Sequence, residues 1–331
     1  ETGGKAVLHI RNLAFMGFTQ VVAKAFTIRE NFVICQKAIR SFQPDVIIPI
    51  DYGGFNTRMI KWLKNRNYRI AYYITPKVWA WMPSRAGKLA RYTDCALCVL
   101  PFEVEFLEKY GVHAHYVGNP VREYVQEVKK ADPYLLRTTL ELTDQPVIAL
   151  LPGSRRQEIA KILPVMLKAI DQMKDYQIVI AGHGNFPESF YRKMGAHPNT
   201  RIIYGKTLEL AKVAQAALVT SGTATLETAL IGTPQVVCYK TSPISYGIAR
   251  LLASVRFISL VNLILDKPCV QELIQQACNP VNVKKHLDRI LQDSEQRRTM
   301  EKEYAELDTK LGVTDASEAA AAIICRMAMK S

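Results

Sequence analysis

Short, uninterrupted apolar runs recur along this chain, and stretches with the apolar spacing of helices separate them. Most of the runs show no alternation of apolar and polar residues. Strands that are buried on both faces of a parallel sheet have this pattern, because helices cover both faces. The sequence therefore predicts an α/β fold with doubly wound parallel sheets. The predicted strands are residues 46–50, 70–74, 96–100, 115–117, 147–151, 177–181, 201–204, 217–220 and 235–239.

A polar and charged segment at residues 125–145 divides these strands into two groups. The length of 331 residues also suits two domains better than one. We expect an N-terminal half at residues 1–140 and a C-terminal half at 141–310, with a cleft between the halves. Residues 311–331 are expected to form a helix that packs across onto an N-terminal half. Beyond about residue 270 the pattern predicts helices, at 284–307 and 316–329.

The net charge of the chain indicates which classes of binding partner it favours. Lys and Arg number 43 against 30 Asp and Glu, which gives a net charge of +13. This excess favours nucleotides, nucleic acid or a membrane surface, although a generally basic solvated surface has the same composition. The seven scattered cysteines are typical of free thiols in a reducing cytoplasm. No Asp-x-Asp pair is present to hold a cation, so we expect neither a metal site nor a cofactor.

Ligands of open α/β sheets bind beyond the carboxyl ends of the strands. After residues 147–151 come Gly153, Ser154 and Arg155, and a helix is predicted to start next. The amides at a helix start favour an anion, and an arginine can add a contact to phosphate. An ordinary turn with an exposed arginine fits these residues equally well.

A second turn of small residues follows residues 217–220. Gly222, Thr223 and Ala224 open a helix there, and Glu227 lies four residues after Thr223 on the same face. A carboxylate in this place can accept hydrogen bonds from two ribose hydroxyls, or it can simply stabilise the helix dipole. Two phosphate-type turns in one half favour nucleotide binding.

Asp51 ends the first apolar run and precedes two glycines. A carboxylate that points into the crevice can act as a general base. The residues alone slightly favour another interpretation, in which Asp51 caps the following helix.

Aromatic and basic residues also stand out. Trp79 and Trp81 share one loop, where they can stack on sugars, meet lipid or pack in the core. Four apolar residues near the start have helical spacing, which is typical of a core-facing helix or of a helix at a membrane interface. They are Phe15, Phe18, Val22 and Phe26. Arg85, Lys88 and Arg91 form one basic helix face, which is either solvated or in contact with anionic lipid.

Six motifs together resemble the landmarks of the lipid A disaccharide synthase family. In chain order they are TPKVWAW, LPFEVEFLEKY, YVGNPV, LLPGSRRQEI, SGTATLETALIGTP and FISLVNLILDKPCVQELIQ. The resemblance runs from about residue 13 to residue 276, and the tryptophan motif with SGTATLE is highly specific. It implies a GT-B fold and inverting, metal-independent transfer from UDP-2,3-diacylglucosamine to 2,3-diacylglucosamine 1-phosphate. The implied products are the β-1,6-linked acylated disaccharide phosphate and UDP.

The resemblance also implies roles for individual residues. Asp51 matches the essential aspartate that is the leading candidate for the base at the acceptor 6-hydroxyl, and Glu227 matches the ribose-binding glutamate. The turn around Ser154 and Arg155 and the helix start at Gly222, Thr223 and Ala224 match the diphosphate site. Asn262 matches a further essential asparagine of the family, and Glu272 and Gln275 fall where the family has polar donor-site residues. The apolar helix near the start matches a segment proposed to dip into the bilayer.

Two departures from the family pattern are present. Val261 stands where the family has proline, and nothing matches the opening Gly-Glu-x-Ser-Gly-Asp loop. The first βα units are therefore expected to be absent, which would compromise the acceptor side of the cleft. The alternatives are a UDP-N-acetylglucosamine 2-epimerase, an undecaprenyl-linked N-acetylglucosaminyltransferase, and a truncated UDP-binding module without activity.

The expected partners are a UDP-sugar donor, an acylated glucosamine phosphate acceptor and the inner-leaflet membrane surface. A second copy of the chain is a possible further partner, and nucleic acid is not expected. The expected location is the cytoplasm of a Gram-negative bacterium, with peripheral attachment to the inner membrane.

Overall fold

A computed structural model describes residues 4, 6–7, 25–80, 83–243, 246–247, 250, 255–312 and 315–329. Besides a short 3-10 helix at Pro83–Arg85, the described helices and strands in chain order are α1 (Ala25–Phe42), β1 (Val46–Ile47), α2 (Gly53–Lys64), β2 (Arg69–Tyr73), α3 (Ala86–Tyr92), β3 (Cys95–Cys98), α4 (Pro101–Glu108), β4 (Ala114–Tyr116), α5 (Pro120–Lys129), α6 (Pro133–Thr139), β5 (Val147–Leu151), α7 (Arg156–Ile170), β6 (Gln177–Gly182), α8 (Glu188–Lys193), β7 (Arg201–Tyr204), α9 (Thr207–Val213), β8 (Ala214–Thr220), α10 (Thr223–Ile231), β9 (Gln235–Tyr239), α11 (Leu260–Leu265), β10 (Gln271–Ile274), α12 (Pro280–Gln292), α13 (Ser294–Leu311) and α14 (Ala316–Met329).

The chain divides into two compact units. The first unit contains Glu1–Val99, Glu103–Val117 and Ser317–Ser331, and the second contains Leu100–Phe102 and Gly118–Ala316. The first sheet has the strand order β1-β2-β3-β4, and the second has the order β10-β9-β8-β5-β6-β7. All of these strand pairs are parallel. The predicted doubly wound α/β class is thus confirmed.

The first sheet has helices on both faces. On one face, Ile60 and Leu63 of α2 pack with Ile70 and Leu89 in a closed apolar cluster. On the other face, Ala320 of α14 joins a cluster with Ala71, Leu97 and Val117, and the Arg69 guanidinium donates to the carbonyl oxygen of Met327 at 2.7 Å. Helix α14 therefore belongs to the first unit through its small apolar face.

The boundary between the units falls earlier than the predicted one at residue 140. Helix α5 contacts α10, and α6 contacts α9, so the segment from Gly118 onwards packs with the second unit. Arg122 of α5 also pairs with Asp308 of α13 at 2.6 Å. The polar segment that suggested a boundary thus includes helices that pack against other helices of the second unit and expose many of their side chains.

All nine predicted strands are present, but β10, a further strand of the described part of the chain, was missed. It has only four residues, begins with the polar pair Gln271 and Glu272, and lies at the edge of its sheet. An edge strand needs no continuous apolar run, so the signal used for the others was absent. The helix predicted over 284–307 is in fact two helices, because Asp293 accepts from the amides of Glu295 and Gln296 and starts α13. Within the described residues, no helix is both long enough and apolar enough to cross a membrane.

Candidate functional site

The two turns with phosphate-type sequences lie side by side in the second unit. Strands β5 and β8 are neighbours, with Leu151 opposite Val219, so their following turns leave the sheet at the same edge. Gly153 has a φ of +100°, and a Cβ atom there would lie 3.4 Å from Cγ2 of Thr220. Glycine therefore allows the first turn its left-handed backbone.

Both turns lead into helices that lack a side-chain cap. Arg155 precedes α7 and Gly222 precedes α10, and at neither helix start does a backbone amide donate to a capping side chain of the described residues. The first amides of a helix have no partner within the helix, so an anion can satisfy them. By contrast, five other helices begin with a side-chain cap, at Asn119, Asp132, Ser259, Asn279 and Asp293. Ser154, Gly222 and Thr223 are exposed to solvent, and Ala224 is half-buried.

The Arg155 side chain lies over the first turn of α7. Its Nη1 atom pairs with Oε1 of Glu158 at 2.7 Å, while 59% of the side chain is exposed. Burial raises the pKa of Tyr239 at the end of β9, Glu158 raises this pKa further, and Arg155 lowers it. The three groups therefore lie within electrostatic reach of one another at the carboxyl edge of the sheet.

Glu227 has an unusual setting for a carboxylate. It is half-buried in α10 and accepts no hydrogen bond from any of the residues that the structure describes. Loss of solvent raises its pKa. Its oxygens keep open acceptor positions one turn from the α10 start, where they can accept hydrogen bonds from the hydroxyls of a ligand.

Asn262 and Glu272 form the centre of a buried hydrogen-bond network. The Asn262 Nδ2 atom donates to the Val270 carbonyl and to Oε1 of Glu272, both at 2.9 Å. Its Oδ1 atom accepts from the Val270 amide at 2.9 Å. The Glu272 carboxylate also accepts from the amides of Ile258 and Ser259, at 3.0 and 2.9 Å. The polar atoms of Asn262 are thus committed inside the protein, and they hold residues 258–262 in place.

This network reaches the second turn through Ser221. The Ser221 Oγ atom donates to the Ile258 carbonyl at 2.9 Å. Gln275 plays a similar part beyond β10, because its Oε1 atom accepts from the Thr241 amide at 2.8 Å. Its own backbone has a φ of +53°. The side chains of Asn262, Glu272 and Gln275 therefore shape the segments around the α10 start, and direct contact with a substrate stays a prediction.

Asp51 belongs to the first unit, and its backbone is held firmly. Asp51 and Tyr52 have φ values of 43° and 45°, a left-handed conformation that costs energy for residues other than glycine. The Asp51 amide donates to the Tyr73 carbonyl at 3.1 Å. Its carbonyl accepts from the Tyr72 hydroxyl at 2.7 Å and from Asn56 Nδ2 at 2.8 Å. The strained turn is thus fixed by several bonds.

The Asp51 carboxylate itself is exposed and makes no hydrogen bond within the described part of the chain. Helix α2 begins after Tyr52 and has no side-chain cap. The interpretation of Asp51 as a helix cap, which the residues alone slightly favoured, is therefore wrong. The turn presents the carboxylate to solvent.

The loop tryptophans and the apolar N-terminal stripe are only partly described. Trp79 is buried, and its Nε1 atom donates to Oε1 of the buried Glu103 at 2.9 Å, so Trp79 belongs to the core. Phe26 is 81% exposed and does not face the core. Four predicted residues lie outside the described ranges: Phe15, Phe18, Val22 and Trp81.

One feature near the first turn was missed in the sequence. The guanidinium of Arg156 lies over the rings of Phe186 and Phe190, at 5.2 and 4.8 Å from their centroids. The i, i+4 spacing of the two phenylalanines was visible, but the arginine that covers them lies 30 residues earlier. These contacts fix the side chain that directly follows Arg155.

Similar proteins are abundant. The family model "Lipid-A-disaccharide synthetase" matches residues 1–324. The chain is 36% identical over 327 residues to a lipid-A-disaccharide synthase of Syntrophus aciditrophicus, covering 97% of this chain and 85% of the relative. It is 35% identical over 325 residues to the same enzyme of Myxococcus xanthus, covering 96% and 85%.

A solved structure supports the fold. The UDP-GlcNAc 2-epimerase of Neisseria meningitidis bound to UDP-GlcNAc has a TM-score of 0.57 over 96% of this chain and 84% of its own, at 14% identity. At this low sequence identity the similarity shows the fold alone. The fold is of the GT-B type. Because the family model spans nearly the whole sequence and the relatives exceed 30% identity, the chain belongs to the lipid-A-disaccharide synthetase family.

Proposed function

We propose that this protein joins UDP-2,3-diacylglucosamine to 2,3-diacylglucosamine 1-phosphate and releases UDP, with inversion at the sugar C1. Membership of the family supports this reaction over epimerisation and over transfer to an undecaprenyl-linked acceptor. The observation that carries it is the pair of adjacent, uncapped helix starts at α7 and α10, with the open carboxylate of Glu227 beside the second.

The donor nucleotide fits this arrangement. The diphosphate would accept hydrogen bonds from the first amides of α7 and α10, including those of Thr223 and Ala224, and Arg155 would add a positive charge. The ribose hydroxyls would donate to Glu227. Together these groups stabilise the negative charge that develops on the leaving UDP, which is the task that a cation performs in other enzymes.

The acceptor needs a base, because an alcohol is a poor nucleophile at neutral pH. In our proposal the Asp51 carboxylate takes the proton of the 6-hydroxyl as its oxygen bonds to C1 and the bond from C1 to UDP breaks. The exposed carboxylate and its rigid turn support this role. Three residues would act indirectly, by holding the segments around the donor turns in place: Asn262, Glu272 and Gln275.

Asp51→Asn tests the proposal, because it keeps the shape and removes the base. With both lipid substrates, wild-type protein should release UDP only when acceptor is present. The variant should transfer about 10²–10⁴-fold more slowly with unchanged UDP affinity. Asp45→Asn, which changes another exposed aspartate of the first unit, is the matched control and should stay near wild type. Near-normal turnover of Asp51→Asn would exclude Asp51 as the base, and UDP release without acceptor would exclude transfer as the main reaction.

We also propose peripheral attachment to a membrane through α1. Phe26, Val33 and Ile34 are exposed on this helix beside Arg29, and Phe26, Arg29, Glu30, Val33 and Ile34 line a shallow groove. Apolar side chains with adjacent cations suit an anionic interface. The net charge of +13 points the same way. Homodimer formation stays a prediction.

A further inference from the structure

A basic cavity in the first unit has no part in the proposed donor site. It has a volume of about 380 Å³ and lies between α2 and the segment that contains the short helix Pro83–Arg85 and α3. Helix α2 contributes Arg58 and Lys61, and α3 contributes Lys88 and Arg91. Each pair has i, i+3 spacing, so both helices turn one basic face to the same cavity.

The described residues leave the positive charge in this cavity uncompensated. None of the described residues that line it is acidic. None of the four cations forms an ion pair within the described residues, whereas neighbouring Lys64 of α2 pairs with Asp94. Four like charges around one concave surface repel each other, and a bound anion would relieve this repulsion. Ser84 adds a hydroxyl to the lining.

We propose that this cavity binds a phosphomonoester, namely the 1-phosphate of the acylated glucosamine acceptor. This inference rests on the proposed function. Asp51 lies two residues before α2, and Arg58 is five residues into that helix, a rise of about 7–8 Å. The 6-hydroxyl and the 1-phosphate of one hexose are separated by the width of its ring. One acceptor can thus reach the base with its hydroxyl and the long cationic side chains with its phosphate.

The cavity suits a phosphomonoester better than the phosphodiester of a membrane lipid. A monoester carries up to two negative charges and three terminal oxygens, while a diester carries one charge and two such oxygens. Four cations and a hydroxyl match the monoester more closely. A phospholipid is therefore the competing occupant, and the experiment separates the two.

The experiment compares Arg58→Gln/Lys61→Gln and Lys88→Gln/Arg91→Gln with a control, Lys285→Gln/Arg298→Gln. The control removes the same charge from exposed positions of the second unit. N-acetylglucosamine 1-phosphate is titrated calorimetrically at low salt with saturating UDP, which blocks the donor turns. N-acetylglucosamine serves as the uncharged probe. Thermal melts establish that each variant is folded.

We expect each cavity variant to bind the phosphorylated probe at least about tenfold more weakly, since two charge-assisted contacts are lost. The control should bind like wild type, and the uncharged probe should bind more weakly than the phosphorylated one to wild type. In the transfer assay the KM for acceptor should rise by about the same factor, with the KM for donor unchanged. Arg58→Lys with Lys61 intact should restore most of the probe affinity.

Wild-type probe affinity in both cavity variants would overturn the proposal. It would also be wrong if the variants lost binding to phosphatidylglycerol vesicles but kept their probe affinity and acceptor KM. The titration does not depend on catalysis. If wild-type protein bound the probe through these cations but made no disaccharide, the phosphate cavity would stand and the proposed reaction would fail.

Discussion

The Glu227 carboxylate is half-buried and has no hydrogen-bond partner among the described residues. Glu227→Gln therefore tests its effect on UDP binding separately from its effect on the stability of the fold. The substitution keeps the size of the side chain and removes its charge. Hydrogen bonds to charged groups contribute about 1.5–3 kcal/mol, and those between neutral groups about 0.5–1.5 kcal/mol. We expect a loss of about 1–2 kcal/mol on the ribose hydroxyls, which is a weakening of UDP binding by about 5–30-fold.

The same substitution should not destabilise the folded protein. Burial raises the pKa of Glu227 above its value in the unfolded chain, so the folded state binds the proton more readily. Stability from this group is complete below the unfolded pKa and is lost as pH rises through the folded pKa. Glutamine does not ionise, so the Glu227→Gln variant does not lose stability as the pH rises. At neutral pH the melting temperature of the variant should equal or exceed that of wild type.

Calorimetric titration of UDP and of 2′-deoxy-UDP, with thermal melts from pH 4 to pH 8, checks both effects. Wild-type affinity for UDP should fall as pH drops through the raised pKa, and the variant should lack this step. Glu295→Gln is the control, because Glu295 also lies in the first turn of a helix but is exposed. Unchanged UDP affinity in Glu227→Gln, or equal losses for both nucleotides, would refute the ribose contact.

Three further predictions follow from the same structure. UDP should bind in the presence of chelator, and Arg155→Ala should weaken this binding by about 1.5–3 kcal/mol; calorimetry that shows strict dependence on magnesium would contradict the donor site. Asn262→Ala should lower the free energy of unfolding by about 1–3 kcal/mol, because it leaves the Val270 amide and carbonyl without their partner; an unchanged urea midpoint would contradict the network. Phe26→Ser should reduce sedimentation with anionic vesicles at low salt while UDP affinity stays the same, because Phe26 is exposed on α1; full retention of vesicle binding would count against the proposed membrane surface.

Most of the strands could be predicted from the sequence, because a short, uninterrupted apolar run is enough to indicate each of them. Strand β5 is buried throughout, and β8 is buried from Ala216 onwards. A continuous apolar run identifies such a strand without knowledge of its neighbours. Strand β10 lacks that signal because it lies at an edge. The family motifs could point to the turns at Ser154 and Gly222, since small residues before a helix are visible locally.

The partners of polar side chains could not be predicted in the same way. Asn262 and Glu272 are ten residues apart, and only the fold shows that they bond to each other and to residues 258–259. The basic face of α3 was visible from its spacing. The basic pair on α2, Arg58 and Lys61, could be related to that face only from the fold, which places both around one cavity.

The linkage in the reaction product tests the central claim most directly. Wild-type protein is incubated with UDP-2,3-diacylglucosamine and 2,3-diacylglucosamine 1-phosphate, and the lipid product is examined by mass spectrometry and NMR. Inverting transfer to the 6-hydroxyl predicts a single acylated disaccharide 1-phosphate with a β-1,6 linkage, together with one UDP for each product. A free or epimerised sugar, an α linkage, or unchanged lipids would contradict the account.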